Sequence, residues 1–538
     1  MNKMINKIIN KHKKLFIGVV VLIIIYSLLS VLSGYSLSFM VNIFDKDNTT
    51  IKDVFKVIFV ILFIDIMSLT SLYTKYYYQS KLQSRLRNEV RLELSNKIIH
   101  QDYENFIKRD SGTYLAWFTN DIKEIDNRCF EGVFNIIHSI TSVIGTFIAI
   151  ATFNIWISVT TTVLSITMVF LPKLMNNTIQ KIGEKHTKEE ESYISKVKSL
   201  IEGFPDLYVS NSEDYFDARL KQYSNVYELN YFQFLIIQLK TAVYSAGLSS
   251  FSQLCLLGLT MIFVSLGKAP IGSILAMAGL GQVFMGGISG IVNSLISIKS
   301  SNVFFKKYEN IEKRDLNQNK FIELNDKFKI ETKDLCFSYN DNSEKLNFPD
   351  LDINNFNKTL IKGANGSGKS TLLHLILGLY KVNSGIVNID DNNVSVITKE
   401  EIFNKIAYMQ QSPKLFIDTI RNNIKLNLDV NDSQIWEVLA TLGLVEFVKG
   451  LPGQLDYKIT DQGKNLSGGQ KQRFILARHL LRDVDTIVLD EATSNIDIES
   501  KLFLYEKLLN KNDRGVIMVD HSINKENESL FDDLIIIK

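Results

Sequence analysis

The chain of 538 residues carries 46% hydrophobic residues and a formal net charge of +2. That length exceeds one ordinary domain, and the charge balance excludes both a global basic field for nucleic acid and an acidic excess for disorder. Cys129, Cys255 and Cys336 have neither paired nor metal-ligand spacing, so they read as buried thiols and ask for no oxidising compartment.

Apolar residues are concentrated before about residue 300, in stretches long enough to cross a bilayer, for which about 20 mostly apolar helical residues suffice. Six spans are expected, near 16–40, 54–78, 130–153, 156–178, 234–266 and 272–298. Lys3, Lys7, Lys11, Lys13 and Lys14 precede the first, as they would in a secretion signal. The run from Leu15 is too long for one, however, and no small-residue cleavage site closes it, so the segment reads as a retained anchor. Cationic loops stay on the cytoplasmic side. Arg85, Arg87, Arg91 and Lys97 after the second span, and Lys181, Lys185, Lys188 and Lys196 after the fourth, therefore place both connections and the amino terminus in the cytoplasm. Short outer turns are expected around 45–52, 154 and 268, and an even number of spans returns the rest of the chain to the cytoplasm.

Both inner connections interleave charged and apolar residues at helical spacing, as in KLQSRLRNEVRLELSNKII. They read either as solvated charged helices or as extensions of the spans, with tips expected at SGTY (111–114) and NSED (211–214). Asp65, His138, Lys240 and Asn293 are polar positions inside spans and hence candidates for a bundle interior or a water-filled path. The sixth span holds Gly279, Gly281, Gly286, Gly287 and Gly290. Its small-xxx-small pair, Gly286 and Gly290, reads as close helix packing, with a gating hinge as the alternative.

After the last span a polar, lysine- and asparagine-rich linker is expected over 311–327, dividing a membrane domain (1–310) from a segment of alternating strand-like and helix-like pattern (328–538). Within the latter, TLIKGANGSGKSTLLHLILGLY places an apolar strand, a glycine-rich turn and an apolar-periodic helix in succession. Gly363, Ala364, Asn365, Gly366, Ser367, Gly368, Lys369 and Ser370 form a phosphate-binding loop, whose glycines let backbone N–H groups close around the β- and γ-phosphates at a helix start. Lys369 supplies a point charge and the Ser370 hydroxyl suits Mg2+. Farther on, TIVLDEATS reads as an apolar strand ending in Asp490 and Glu491. The first carboxylate suits hydrated magnesium and the second suits an attacking water.

Between these two landmarks, Leu466-Ser467-Gly468-Gly469-Gln470 followed by KQRFILARHLL resembles the signature motif of ABC ATPases. The resemblance covers essentially the whole chain, because six spans followed by one nucleotide-binding domain is the layout of the fused exporters. It implies a multi-domain fold, an all-α six-helix transmembrane domain followed by an α/β P-loop NTPase domain, that binds ATP and Mg2+. Tyr339 in CFSY is then the residue stacked on adenine, and Thr371 a further nucleotide contact after the loop. Gln411 in YMQQSP matches the Q-loop glutamine, a magnesium ligand with Ser370 and Asp490. Ser467, Gly468, Gly469 and Gln470 match the signature, Asp497 in SNID the D-loop aspartate, and His521 in VDHS the switch histidine, catalytic together with Glu491.

The resemblance further implies head-to-tail pairing of two chains, with ATP between the phosphate loop of one and the signature of the other. Since both motifs are intact, a homodimer is expected over a heterodimer. Closure on ATP would switch the spans from inward- to outward-facing. The expected setting is a bacterial cell membrane, and the expected cargo a small peptide or other amphipathic molecule, not nucleic acid. The alternative is a membrane protein of the same build that gates a partner without carrying cargo. The sequence departs from the exporter pattern at Asp461-Gln462-Gly463, where an arginine often stands in the middle. Its end at Lys538, soon after His521, leads to the expectation of a minimal carboxy-terminal edge, and its early first span to that of no amino-terminal peptidase domain.

Overall fold

The computed structural model describes residues 3–43, 49–109, 111–309, 311, 322–339, 345–460, 463–491, 498–509, 514–520, 523 and 525–537. The chain divides into two compact units, residues 1–99 with 110–311, and residues 100–109 with 312–538.

In the first unit a short amphipathic helix, α1 (Lys3–Lys11), leads into α2 (Lys13–Asn42) and then α3 (Ile51–Ile99). With 49 residues, α3 runs about 74 Å at 1.5 Å per residue, more than twice a hydrocarbon core of roughly 30 Å. The charged inner connection is therefore the same helix continued. After α4 (Tyr103–Ile107), helix α5 (Ser111–Ala151) returns, with π-type stretches at Trp117–Asp121 and Asp126–Phe130. The Asn154 side chain accepts from the Trp156 amide at 2.9 Å and so caps α6 (Ile155–Glu202). Then follow α7 (Phe204–Val209), α8 (Glu213–Ser265) and α9 (Ser273–Glu309).

Five helices among the described residues are long and apolar enough to cross a membrane: α2, α3, α5, α8 and α9. The fourth expected span corresponds to the start of α6, apolar over Ile155–Ile166. The first inner tip differs from expectation. It is α4, and SGTY instead opens the return helix α5, because Ser111 and its neighbours already carry helical hydrogen bonding. At the second tip the turn occupies 210–212, and Glu213 and Asp214 of NSED form the acidic first turn of α8, where the helix dipole favours them.

The glycine face of α9 also turns by one residue from the expected pair. A Cβ on Gly287 would lie 2.7 Å from Val143 Cγ2 and one on Gly290 2.5 Å from Ser139 Oγ, whereas Gly286 faces open space. Close approach of α9 to α5 thus uses positions i and i+3. Of the polar span positions, Asp65 accepts from Ser33 Oγ at 2.5 Å and His138 Nδ1 lies 2.6 Å from Ser27 Oγ, while Lys240 and Asn293 are exposed. Cys129 is buried and Cys255 and Cys336 are partly so.

The second unit carries two sheets. β1 (Lys329–Phe337), β2 (Leu346–Asn347), β3 (Leu351–Asn354), β5 (Ser384–Ile389) and β6 (Asn392–Asn393) make an antiparallel sheet around β1. A parallel sheet runs in the order β10-β4-β9-β8-β7, from β4 (Lys358–Gly363), β7 (Ile406–Met409), β8 (Thr486–Asp490), β9 (Gly515–Val519) and β10 (Asp533–Ile537). Every residue of β7, β8 and β9 is buried, as expected of parallel strands covered on both faces. Helix α10 (Lys369–Ile376) follows β4, and α11 (Gly468–Leu480) is one of the helices packed around the parallel sheet.

Candidate nucleotide site

In open α/β sheets ligands bind beyond the carboxyl ends of the strands, and both sequence landmarks lie there. The loop after β4 turns into α10 through Gly366 (φ +83°) and Gly368 (φ +90°), left-handed conformations that a side chain would strain. Lys369, 6% exposed, is the first residue of α10 and folds its Nζ back onto the loop, donating to the carbonyls of Gly363 (3.1 Å) and Ala364 (2.6 Å). Burial draws the Lys369 pKa below the ordinary lysine value, against the opposing fields of Glu491 and Asp490.

Asp490, 1% exposed, closes β8. Burial raises its pKa, partly offset by a hydrogen bond from Ser370. Its Oδ1 and the Ser367 Oγ are both buried without a hydrogen-bond partner. Buried polar oxygens without a protein partner suit a ligand, and the hard oxygens of Asp490 and Ser370 fit Mg2+. The adjacent Glu491 takes a left-handed backbone, φ +50°, uncommon outside glycine. Its Oε2 accepts from Gln411 Nε2 at 2.7 Å, so the two residues assigned to water and metal already meet.

Tyr339, half exposed, donates to or accepts from Thr371 Oγ1 at 2.6 Å and stands edge-on to Tyr380, 5.9 Å between ring centres. An exposed ring anchored beside α10 can present a face to a base. Ser467 caps α11: its Oγ accepts from the Gln470 amide and the Gln470 Oε1 from the Ser467 amide, a reciprocal capping box. Gly468 and Gly469 form the first turn of that 13-residue helix. Among the described residues no hydrogen bond or ion pair joins 467–470 to the phosphate loop. Asp497, His521, Asp461 and Gln462 lie outside the described residues.

Two residues escaped the sequence reading. Tyr408, in the middle of wholly buried β7, points its hydroxyl to Asp490 Oδ2 (3.5 Å) and His374 Nε2 (3.0 Å). Burial drives the Tyr408 pKa up and the His374 pKa down to about 4, so both are neutral near pH 7. The ring of Tyr103, on α4, stands 5.8 Å from that of His374, and the Tyr103 hydroxyl accepts from Gln410 Nε2 at 3.0 Å. A tyrosine in a strand buried on both faces was the available signal, since its hydroxyl must find a partner.

Comparison with known proteins agrees with this architecture. Residues 15–288 match the family of the ABC transporter transmembrane region, and residues 346–494 match that of the ABC transporter itself. An uncharacterised ABC transporter ATP-binding protein of Bacillus subtilis is 25% identical over 434 residues, 79% of this chain and 75% of that one. A putative export ATP-binding/permease protein of Rickettsia prowazekii is 27% identical over 443 residues, 78% and 73% of the two chains. The microcin-J25 export ATP-binding/permease protein of Escherichia coli is 36% identical over 206 residues, 38% of this chain and 35% of that one. In structure, the chain is similar to a bacterial Atm1-family ABC exporter with ATP bound, with a TM-score of 0.86 at 15% identity over 98% of this chain and 93% of the other.

Proposed function

Because this chain belongs to the ABC transporter family, as a half-transporter of exporter architecture, we propose that it hydrolyses ATP to move a peptide or other amphipathic molecule out of a bacterial cytoplasm. One observation carries the reading. A phosphate loop and a paired-carboxylate strand end, with orphaned oxygens on Ser367 and Asp490, occur in one chain with helices of membrane-spanning length. The Escherichia coli relative is by its name an exporter of microcin J25, which supports a peptide among the cargo classes.

The loop amides and Lys369 would bind the β- and γ-phosphates of ATP, for which Lys369 must exchange its two carbonyl contacts. Ser370, Gln411 and Asp490 would hold Mg2+, which would neutralise phosphate charge when bound. Glu491 orients the attacking water and takes its proton, and His521 contacts the γ-phosphate. The signature turn at the start of α11 would complete the site of a second copy, giving a homodimer whose closure drives the spans from inward- to outward-facing. Lysine and arginine on the inner connections support a cytoplasmic nucleotide unit.

The test is uptake of labelled peptides into inside-out vesicles. ATP-dependent accumulation by the parent and none by Glu491→Gln is expected. Equal accumulation by both, or hydrolysis that no peptide stimulates, would sink the export reading.

A further inference from the structure

The membrane unit contains a cation that the export chemistry above does not use. Lys75 of α3 is 6% exposed, and its Nζ lies 4.9 Å from the ring centre of Tyr26 and 4.5 Å from that of Tyr76. Among the described residues it makes no hydrogen bond and no ion pair. Glu131, the carboxylate whose field reaches it, does not touch it.

Its depth follows from register. Helices α1 and α2 run antiparallel to α3: Lys11 Nζ of α1 meets Glu89 at 2.6 Å, and in α2 Tyr26 meets Lys75 and Ser33 meets Asp65 at 2.5 Å. Tyr26 is eleven residues past Leu15, where the apolar run of α2 begins, so Lys75 lies about 16 Å along that run. Its stem turns the ammonium inward to Tyr26 instead of snorkelling toward the aqueous end of the helix. An ionised group so placed is costly and marks a ligand or ion path.

The surroundings are polar but carry no counter-charge in contact. Tyr26 stacks on His138, 5.4 Å between centres, and His138 Nδ1 meets Ser27 Oγ. One turn along α3, Gln79 is 5% exposed and its Oε1 is buried without a partner. On the outer side of the same helix a shallow hollow of about 590 Å³ is lined by Tyr73, Tyr76, Tyr77, Ser80 and Lys81. The Tyr76 ring takes part in both, lining the hollow and lying against the Lys75 ammonium.

We propose that Lys75 receives the anionic head of an amphipathic cargo, a carboxylate, while the tyrosine-lined hollow takes its apolar body. Tyr76 swings aside to admit the head, and the ammonium exchanges aromatic faces for a full counter-charge. Gln79 offers its amide N–H groups to the same carboxylate. The inference rests on the export reading only in calling the ligand a cargo.

The test uses the full-length protein in phosphatidylcholine vesicles without ATP, and two matched probes, N-lauroylglycine and its neutral amide. The parent should bind the carboxylate about tenfold more tightly than the amide. Lys75→Met should bring that ratio near one, and Lys75→Arg should restore it, an outcome that simple misfolding does not produce. Equal affinity of the parent for both probes overturns the proposal. So does a ratio that survives Lys75→Met but vanishes in Lys81→Met, which would assign the preference to the exposed rim charge. Adding phosphatidylglycerol tests the other source of an anionic head: displacement of lauroylglycine from the parent by that lipid overturns the assignment to cargo. Because binding is read without nucleotide, failure here leaves ATP-driven transport untouched, and failure of transport leaves this binding untouched.

Discussion

Two lysines in this chain are equally withdrawn from water, Lys369 in the nucleotide unit and Lys75 in the membrane unit, each 6% exposed. Lys369 is held by two backbone carbonyls and lies in the field of Asp490 and Glu491. Among the described residues, Lys75 meets two aromatic faces and no hydrogen-bond or ion-pair partner. The first arrangement is pre-organised for a highly charged ligand that every member of its chemistry shares. The second leaves a charge under-compensated, which suits a single negative group and a body that is apolar. On the proposed readings, buried charge would serve a fixed reaction in one unit and selection in the other.

The largest effects are expected in the nucleotide unit. Glu491→Gln keeps shape but loses the base, so ATP should still bind while hydrolysis falls by roughly 10² or more. Lys369→Ala should lower nucleotide affinity and turnover together. Near-parental hydrolysis by Glu491→Gln would remove the catalytic role from this carboxylate.

Sites shared between two copies would show in mixed dimers. Mixing Lys369→Ala chains with Ser467→Arg chains should restore nucleotide trapping above either parent, because one composite site in the mixed dimer is intact. No restoration, in a preparation shown to contain mixed dimers, would mean that each chain builds its own site.

Tyr408→Phe should act through Asp490. Loss of the hydroxyl removes a partner that favours the ionised carboxylate, so half-maximal hydrolysis should need about threefold more Mg2+, with the effect growing as pH falls. A purely structural tyrosine would change thermal stability without moving the Mg2+ dependence.

Acid stability should be set by buried histidines of the same unit. Burial first, then Arg478 and Arg482, holds His479 down to about 4. An unfolded histidine binds a proton near pH 6.5, above the folded value, so this contribution is complete above 6.5 and is lost as pH falls toward 4. His479→Phe should flatten the decline in melting temperature of the nucleotide unit over that window; an unchanged slope would assign the acid sensitivity elsewhere.

The smallest effect is expected at Lys75, and its sign is informative. Replacing an uncompensated buried charge by an apolar residue of similar length is often neutral or stabilising by about 1 kcal/mol or more. Lys75→Met without ligand should therefore melt at or above the parent temperature. A marked fall would make Lys75 a packing anchor.

The nucleotide unit was readable because its chemistry is local. A strand, a glycine turn and a helix start are contiguous at 359–376, and Asp490 with Glu491 end one short strand, so spacing alone implies the cradle and the carboxylates. Length and apolarity likewise pointed to membrane-crossing helices, since a continuous apolar run of about 20 residues satisfies its backbone in lipid as a helix. What depended on tertiary structure were relations between distant segments. That Tyr408 reaches Asp490, that Gln411 meets Glu491, and that α4 of the first inner connection belongs to the nucleotide unit follow from strand order and packing across dozens to hundreds of residues. Lys75 is the clearest case. In sequence it stands near the inner end of a span, where lysines commonly reach water. Only the packing of α3 against α2 turns its ammonium inward to Tyr26, out of contact with water.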